Sequence, residues 1–167
     1  SVDVICNKIF TSGTNVLNMT LAGLNIDTLE KVADRILKSR KIAFFGSGGS
    51  ILVARDAEHK FLKIGVNAIA HEDMDMQLMI SSLMKEDDLG FAISHSGNNI
   101  KVLNCIQNAK ECGAPVVALV GPGKNAMGRL ADYCLNCAAE KTMFRSESVS
   151  TRLAQLTIID ALVAIVA

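Results

Sequence analysis

A short apolar run that stops at glycine constrains this chain more than any other feature. Ile42-Ala-Phe-Phe45 is apolar at every position and ends at Gly46. A strand with one face in water alternates apolar and polar residues, so an unbroken run predicts a strand covered on both faces. Beyond Gly46-Ser-Gly-Gly-Ser50, the residues Ile51, Ala54, Glu58 and Leu62 mark one side of a helix that ends near Gly65. The unit then recurs. Val66 to His71 reads as a strand and Asp75 to Met84 as a helix; Asp88 to Ser94 is the next strand. Val102, Leu103, Ile106 and Ala109 stripe a helix stopped by Gly113. Pro115-Val-Val-Ala-Leu-Val120 is the clearest strand. A short helix around Asn125 to Ala131 leads to a strand within Asp132 to Ala139, and a last helix starts near Ser148. Upstream, Val2, Ile5, Ile9 and Phe10 predict a helix that Gly13 is expected to loosen. Asp27-Thr-Leu-Glu30 has capping-box spacing and opens a second helix through about Arg40.

Short strands alternating with helices define an α/β domain with a parallel sheet and helices on both faces. With five strands and right-handed crossovers, the expected architecture is a three-layer αβα sandwich with flavodoxin-like order 2-1-3-4-5. Residues 1–167 are expected to form a single domain, the helices within 1–40 packing on the α/β core. Half of the 167 residues are hydrophobic, with six Phe, one Tyr and no Trp, so the core is aliphatic and disorder is excluded. Seventeen basic residues balance seventeen acidic ones, which argues against gripping nucleic acid or anionic membrane by bulk charge. Leu153 to Ala167 is interrupted by Gln155, Thr157 and Asp160 and is too short to cross a bilayer. The first twenty residues carry no signal-peptide pattern.

The other conspicuous side chains have plainer readings. Cys134 and Cys137 are spaced like a metal or redox pair, but residues three apart in a strand face opposite sides of the sheet. All five cysteines are therefore expected as buried, reduced thiols of a cytoplasmic protein, with no metal and no cofactor. His59 reads as a solvated or packed residue. His71 with Glu72, Asp73 and Asp75 reads as a solvated helix start, and Met74, Met76, Met79 and Met84 as packing.

Two loops carry the chemistry. Gly46-Ser-Gly-Gly-Ser50 follows strand one and Ser94-His-Ser-Gly-Asn-Asn99 follows strand three, and each opens a helix. In order 2-1-3-4-5 these strands are neighbours whose connections leave on opposite faces, so both loops open into the crevice where doubly wound folds bind ligands. Small residues admit a ligand close to the backbone, and free amides at a helix's positive end attract an anion. The candidate anion-binding residues are Ser47, Gly48 and Ser50 from the first loop and Ser94, His95, Ser96 and Asn99 from the second. The competing explanation is that the serines are only caps and turn residues. Other motifs fail by spacing. A dinucleotide fingerprint needs a glycine where Ile51 stands, although Glu72 and Asp73 keep a ribose-binding acid in play. Gly123-Lys124 is followed by Asn125 and lacks the upstream glycine of a Walker loop. Ser94-His95-Ser96-Gly97-Asn98 is not a nucleophile elbow.

Gly46-x-Gly48-x-Ser50, Ser94-His-Ser-Gly97, Asp132 before a strand, and Ser150-Thr-Arg-Leu-Ala-Gln-Leu156 with Asp160 together resemble a sugar isomerase (SIS) domain. More narrowly, they resemble the C-terminal effector domain of the RpiR family of bacterial transcriptional regulators, from about Asp27 to the end. The resemblance implies a sugar phosphate as ligand, with Ser50, Ser94, Ser96 and the position of Asn99 on the phosphate. Asn98-Asn99 departs from the family's usual pair and alters the geometry there. His95 is placed either to touch the ligand or to support the loop. An isomerase would need a base, and Glu140 and Glu147 are the carboxylates expected at the crevice mouth. Glu147 would be that base, or it would pair with Arg145 or Arg152; a structural or sugar-hydroxyl contact is the plainer reading. In a regulator, binding itself is the output, transmitted through dimer geometry. The apolar last helix, and with it the first, predicts a homodimer seam. The ends at Ser1 and Ala167 look cut, so a DNA-binding domain is expected outside this chain, with DNA a partner only through it.

Overall fold

The computed structural model describes residues 1–140 and 149–167 of the chain. Its centre is β1 (Ile42–Phe45), whose four residues are all buried, as an unbroken apolar run requires. Around it lie β2 (Ala68–Ala70), β3 (Leu89–Ile93), β4 (Val116–Val120) and β5 (Tyr133–Asn136), all parallel, in the order β2-β1-β3-β4-β5. The helices are α1 (Val2–Gly23), α2 (Ile26–Lys38), α3 (Gly49–Lys63), α4 (Met74–Ser82), α5 (Ile100–Glu111), α6 (Ala126–Leu130) and α7 (Val149–Val166).

Each strand sends alternate side chains into two separate clusters. Ile42, Phe44, Phe91, Ile93, Val117 and Leu119 pack against α1, α2, α3 and α7. Ala43, Phe45, Ala92, Val116, Ala118 and Val120 pack against α5 and α6, with α4 at the margin. Phe44 anchors the first layer, its ring 5.1 Å from Phe91 and 6.0 Å from Phe61. A fully buried side chain of this size contributes about 3 kcal/mol. The three-layer αβα sandwich and its strand order agree with the sequence.

Several local features differ from the pattern. The second helix starts at Ile26, not Asp27, because the Asn25 side chain accepts from the Thr28 N–H at 3.0 Å. Asn caps as well as Asp, and Asp27 becomes a favourable charge in the first turn. On α3 the buried face is Val53, Ala54, Ala57 and Phe61, which leaves Leu62 exposed. Gly13 does not loosen α1. The helix runs unbroken, and the missing side chain lets it close on α7, where a Cβ would meet Leu153 Cδ2 at 3.2 Å.

The cysteines are only partly as expected. Cys134 packs on the α5–α6 side of the sheet and Cys137 in the opposite cluster, so they cannot meet. Burial pushes the Cys105 thiol up to about 11 and Cys137 up to about 12. Cys6, however, is exposed, and Cys112 and Cys134 are half-buried. Met84 is buried, whereas Met76 and Met79 are exposed on the outer side of α4. The apolar last helix buries one face within the chain, where Ala154, Ile158, Ile159 and Leu162 sit in the core with α1, α2 and α3, while Leu153 and Ile165 stay exposed. In α1 the first ten residues, 2–11, are exposed as well.

Asp88 ties the start of β3 to the end of α2. Its side chain is fully buried, accepts twice from the Arg40 guanidinium at 3.0 Å, and accepts from the Lys85 N–H at 2.9 Å. Burial alone would raise its pKa, but those donors outweigh it and hold the carboxyl below its ordinary value. A depressed pKa contributes stability above the unfolded value, near 3.9, and loses it as pH falls through the folded value. Asp88→Asn is expected to lower Tm by about 4 °C at pH 7. The gap to wild type should close below about pH 4, as followed by circular dichroism melts across that range.

Candidate functional site

The first loop is fastened at its root. Gly46 ends β1 inside the protein, and Gln77 of α4, 1% exposed, reaches across to it. Gln77 Oε1 accepts from the Gly46 N–H at 3.0 Å, while Nε2 donates to the carbonyls of Gly46 at 2.9 Å and His71 at 2.8 Å. Gly48 then takes φ 59°, ψ −129°, a conformation that L side chains rarely adopt, and turns the chain into α3. No side chain caps α3. The caps described for α1, α2, α4, α5 and α6 are Ser1, Asn25, Asp73, Asn99 and Asn125, and each accepts a backbone N–H with its side chain. Among the helices whose N-caps are described, α3 alone therefore presents a start with no side-chain acceptor on it.

The second loop is built from its own polar groups. Ser94 Oγ, buried, accepts from the Gly97 N–H at 3.0 Å, and Ser96 Oγ accepts from the Asn98 N–H at 3.2 Å. A hydroxyl that accepts from backbone keeps its own proton to donate. Asn99 caps α5 through Oδ1 on the Val102 N–H at 3.1 Å, which leaves its amide donors for another partner. Asn98 Oδ1 accepts from the Ala126 N–H, and the Met127 N–H donates to the Gly97 carbonyl, so α6 braces the loop. The His95 carbonyl accepts from the Gly121 N–H, and its ring lies against Gly121, where a Cβ would collide with it. His95 Nδ1 is buried and has no hydrogen-bond partner among the described residues.

Ser47, Gly48, Ser50, Ser94, His95, Ser96 and Asn99 all line one cavity of about 380 Å³ at the carboxyl ends of β1 and β3. The motif residues are thus brought together, and His95 both supports the loop and faces the cavity. The sequence pattern missed a third wall. Thr151, Arg152 and Gln155 of α7 close the cavity on its far side. Gln155 is 3% exposed, and its Nε2 has no hydrogen-bond partner among the described residues. The available signal was Gln155 itself, a polar residue inside an apolar helix.

Other candidates lie elsewhere. Glu147 falls outside the described residues, and Glu140 is not among the described residues that line the cavity. Asp73 caps α4 through the Met76 N–H, and Glu72 pairs with Arg55 at 2.7 Å, so the acidic group near His71 is tied up structurally. His59 is exposed. Among the described residues no three His, Cys, Asp or Glu side chains converge as metal ligands. No described helix is long and apolar enough to cross a membrane.

Two serine-bearing loops at the switch point of a 2-1-3-4-5 sheet place the chain in a known class. The model of the SIS domain family matches residues 35–165, and the chain belongs to that family. Among named relatives, an uncharacterized HTH-type transcriptional regulator of Caldanaerobacter subterraneus subsp. tengcongensis is 36% identical over 166 residues, 99% of this chain and 59% of that protein. Another, from Clostridium perfringens, is 31% identical over 97% of this chain and 58% of its own length. The chain therefore spans less than two thirds of these relatives. Among solved structures, the Vibrio vulnificus NanR protein complexed with ManNAc-6P superposes with a TM-score of 0.91 at 25% identity, over 97% of this chain and 61% of that one. The sugar isomerase domain of the RpiR transcription factor from Sphaerobacter thermophilus shares the fold, with a TM-score of 0.87 at 21% identity over 96% of this chain and 88% of that one.

Gln77→Leu strips Gly46 of both side-chain partners and leaves buried backbone polar groups unsatisfied. It is expected to cost about 3 kcal/mol in urea unfolding. Amide exchange should quicken first at Gly46 and the loop that follows it.

Proposed function

We propose that this chain is the phosphosugar-binding effector domain of an RpiR-type bacterial transcriptional regulator. The observation that carries this reading is the uncapped start of α3 facing the serine loop of β3 across one cavity. The positive end of a helix favours a phosphate, and hydroxyls donate hydrogen bonds to it; the Ser50 and Ile51 N–H groups already donate to the Ser47 and Gly48 carbonyls, each at 3.2 Å. Ser47, Gly48 and Ser50 would hold it from one side, and Ser94, Ser96 and Asn99 from the other, with His95 beside the sugar or the phosphate. Relatives named as transcriptional regulators support the sensing role, and the NanR complex with ManNAc-6P supports the ligand class. The longer protein would act in the cytoplasm and contact DNA through a part outside these 167 residues. The alternative is an isomerase that converts its sugar phosphate. It would draw its base from Glu147, and the regulator names of the relatives weigh against it.

Sensing by a change in geometry needs a partner, and α1 offers the surface. Val2, Ile5, Ile9 and Phe10 are 60–77% exposed. Val2 and Ile9 continue, at seven-residue steps, the stripe that buries Val16 against the core. We infer that a second copy covers this stripe.

A thermal-shift screen of hexose and amino-sugar phosphates tests the site. A ligand at 100 times its Kd should add about 2.7 kcal/mol of stability. Ser50→Ala and Ser96→Ala should each weaken binding by about 1.5–3 kcal/mol. Parent-like affinity in both would remove the assignment. NMR of the incubated sugar phosphate should show no conversion; stoichiometric turnover would sink the sensor-only function. Light scattering after size exclusion should give twice the chain mass at micromolar concentration, and Ile9→Glu with Phe10→Glu should return it to monomer.

A further inference from the structure

Resting on the reading of the cavity as a phosphosugar site, we propose that Arg152 is the charge partner of the ligand's phosphate and makes the site select phosphorylated sugars over neutral ones. Arg152 comes from α7, on the wall facing the two loops. Its guanidinium lies against the first turn of α3, where a Cβ on Gly49 would run into Nη2. Gly49 does not have the left-handed φ of Gly48, so its backbone does not demand glycine. The space that a side chain would take at position 49 is filled by the guanidinium.

The electrostatics of this placement are unfavourable without an anion. α3 begins at Gly49 and α5 at Ile100, and each helix start carries about half a positive charge. Arg152 brings a full positive charge to the same cavity. No ion pair joins it to a carboxylate among the described residues, and no Asp or Glu is among the described residues lining the cavity. Like charges held together in a partly desolvated pocket repel, and a dianion removes that repulsion. On the same wall, one turn along α7, the 97%-buried Gln155 lines the cavity, and its Nε2 has no hydrogen-bond partner among the described residues. The wall thus offers donors in two places. A guanidinium matches phosphate by paired N–H donors, whereas a lone amide suits a sugar oxygen.

Inorganic phosphate is the direct probe, titrated at low salt and followed by NMR at the amides of Gly48, Gly49 and Ser96. Wild type should bind, and Arg152→Gln should bind at least tenfold more weakly with a shallower salt dependence; Arg152→Lys should recover part of the loss. Gly49→Ala should displace the guanidinium and weaken binding similarly, while adding nothing in the Arg152→Gln background. That cycle separates a charge partner from a residue that only supports the fold, and thermal melts check that each variant is folded. Binding within threefold of wild type in Arg152→Gln would overturn the role of Arg152 and leave the cavity assignment standing. Wild type showing no response at those amides up to tens of millimolar phosphate would overturn the cavity assignment itself, and this role with it.

Discussion

The parallel pairing of β1 with β3 is the constraint from which the rest of the structure follows. Ile42 pairs with Leu89 and Phe45 with Ala92, so the strands run level and end together. Their connections then leave on opposite faces, to α3 on one side and α5 on the other. Two helix starts are thereby aimed at one point, and side chains such as Gln77 and Asn99 only fasten the loops that lead into them. Burial of the sheet on both faces makes the register expensive to slip, because every strand side chain already has its layer. The crevice is a by-product of a ladder of backbone hydrogen bonds.

Most of this was legible in the sequence because the decisive signals are local. An unbroken run such as Ile42–Phe45 can only be covered on both sides, and a glycine–serine loop after it announces a turn into a helix. Ser50, Ser94 and Ser96 were legible for the same reason. What escaped depends on contacts between distant segments. Gln77 looks like an ordinary helix residue until Gly46, thirty-one positions away, is seen in its grip. Arg152 and Gln155 sit in a helix whose apolar content hid that its first turns line the cavity. The α3 stripe was off by one residue because Leu62 and Phe61 are equally apolar, and only Phe44 decides which of them turns inward. Cys6 and Met79 resisted for the opposite reason: an apolar type does not say whether anything lies opposite it.

α7 links the two halves of the molecule's behaviour. Its Ala154, Ile158 and Leu162 belong to the core, its Thr151, Arg152 and Gln155 belong to the cavity, and Leu153 packs over Gly13 of α1. A force applied to its first turn by a ligand is therefore carried to α1 through rigid packing and not through a flexible joint. This gives the regulator reading a physical route from the cavity to the exposed stripe of α1.

The clasp between α1 and the chain leaving β5 bears on where this unit begins. Thr20 Oγ1 accepts from the Ala138 N–H at 3.0 Å, and Val16, Leu29, Val32 and Ala33 are all buried in the core. The family match opens at residue 35, inside α2. A protein cut at that point would keep every residue of the cavity and still lose the roof over α7 and one side of the sheet. Residues upstream of the family-model match therefore contribute to the same core, and Gly13 is the first of them that is buried.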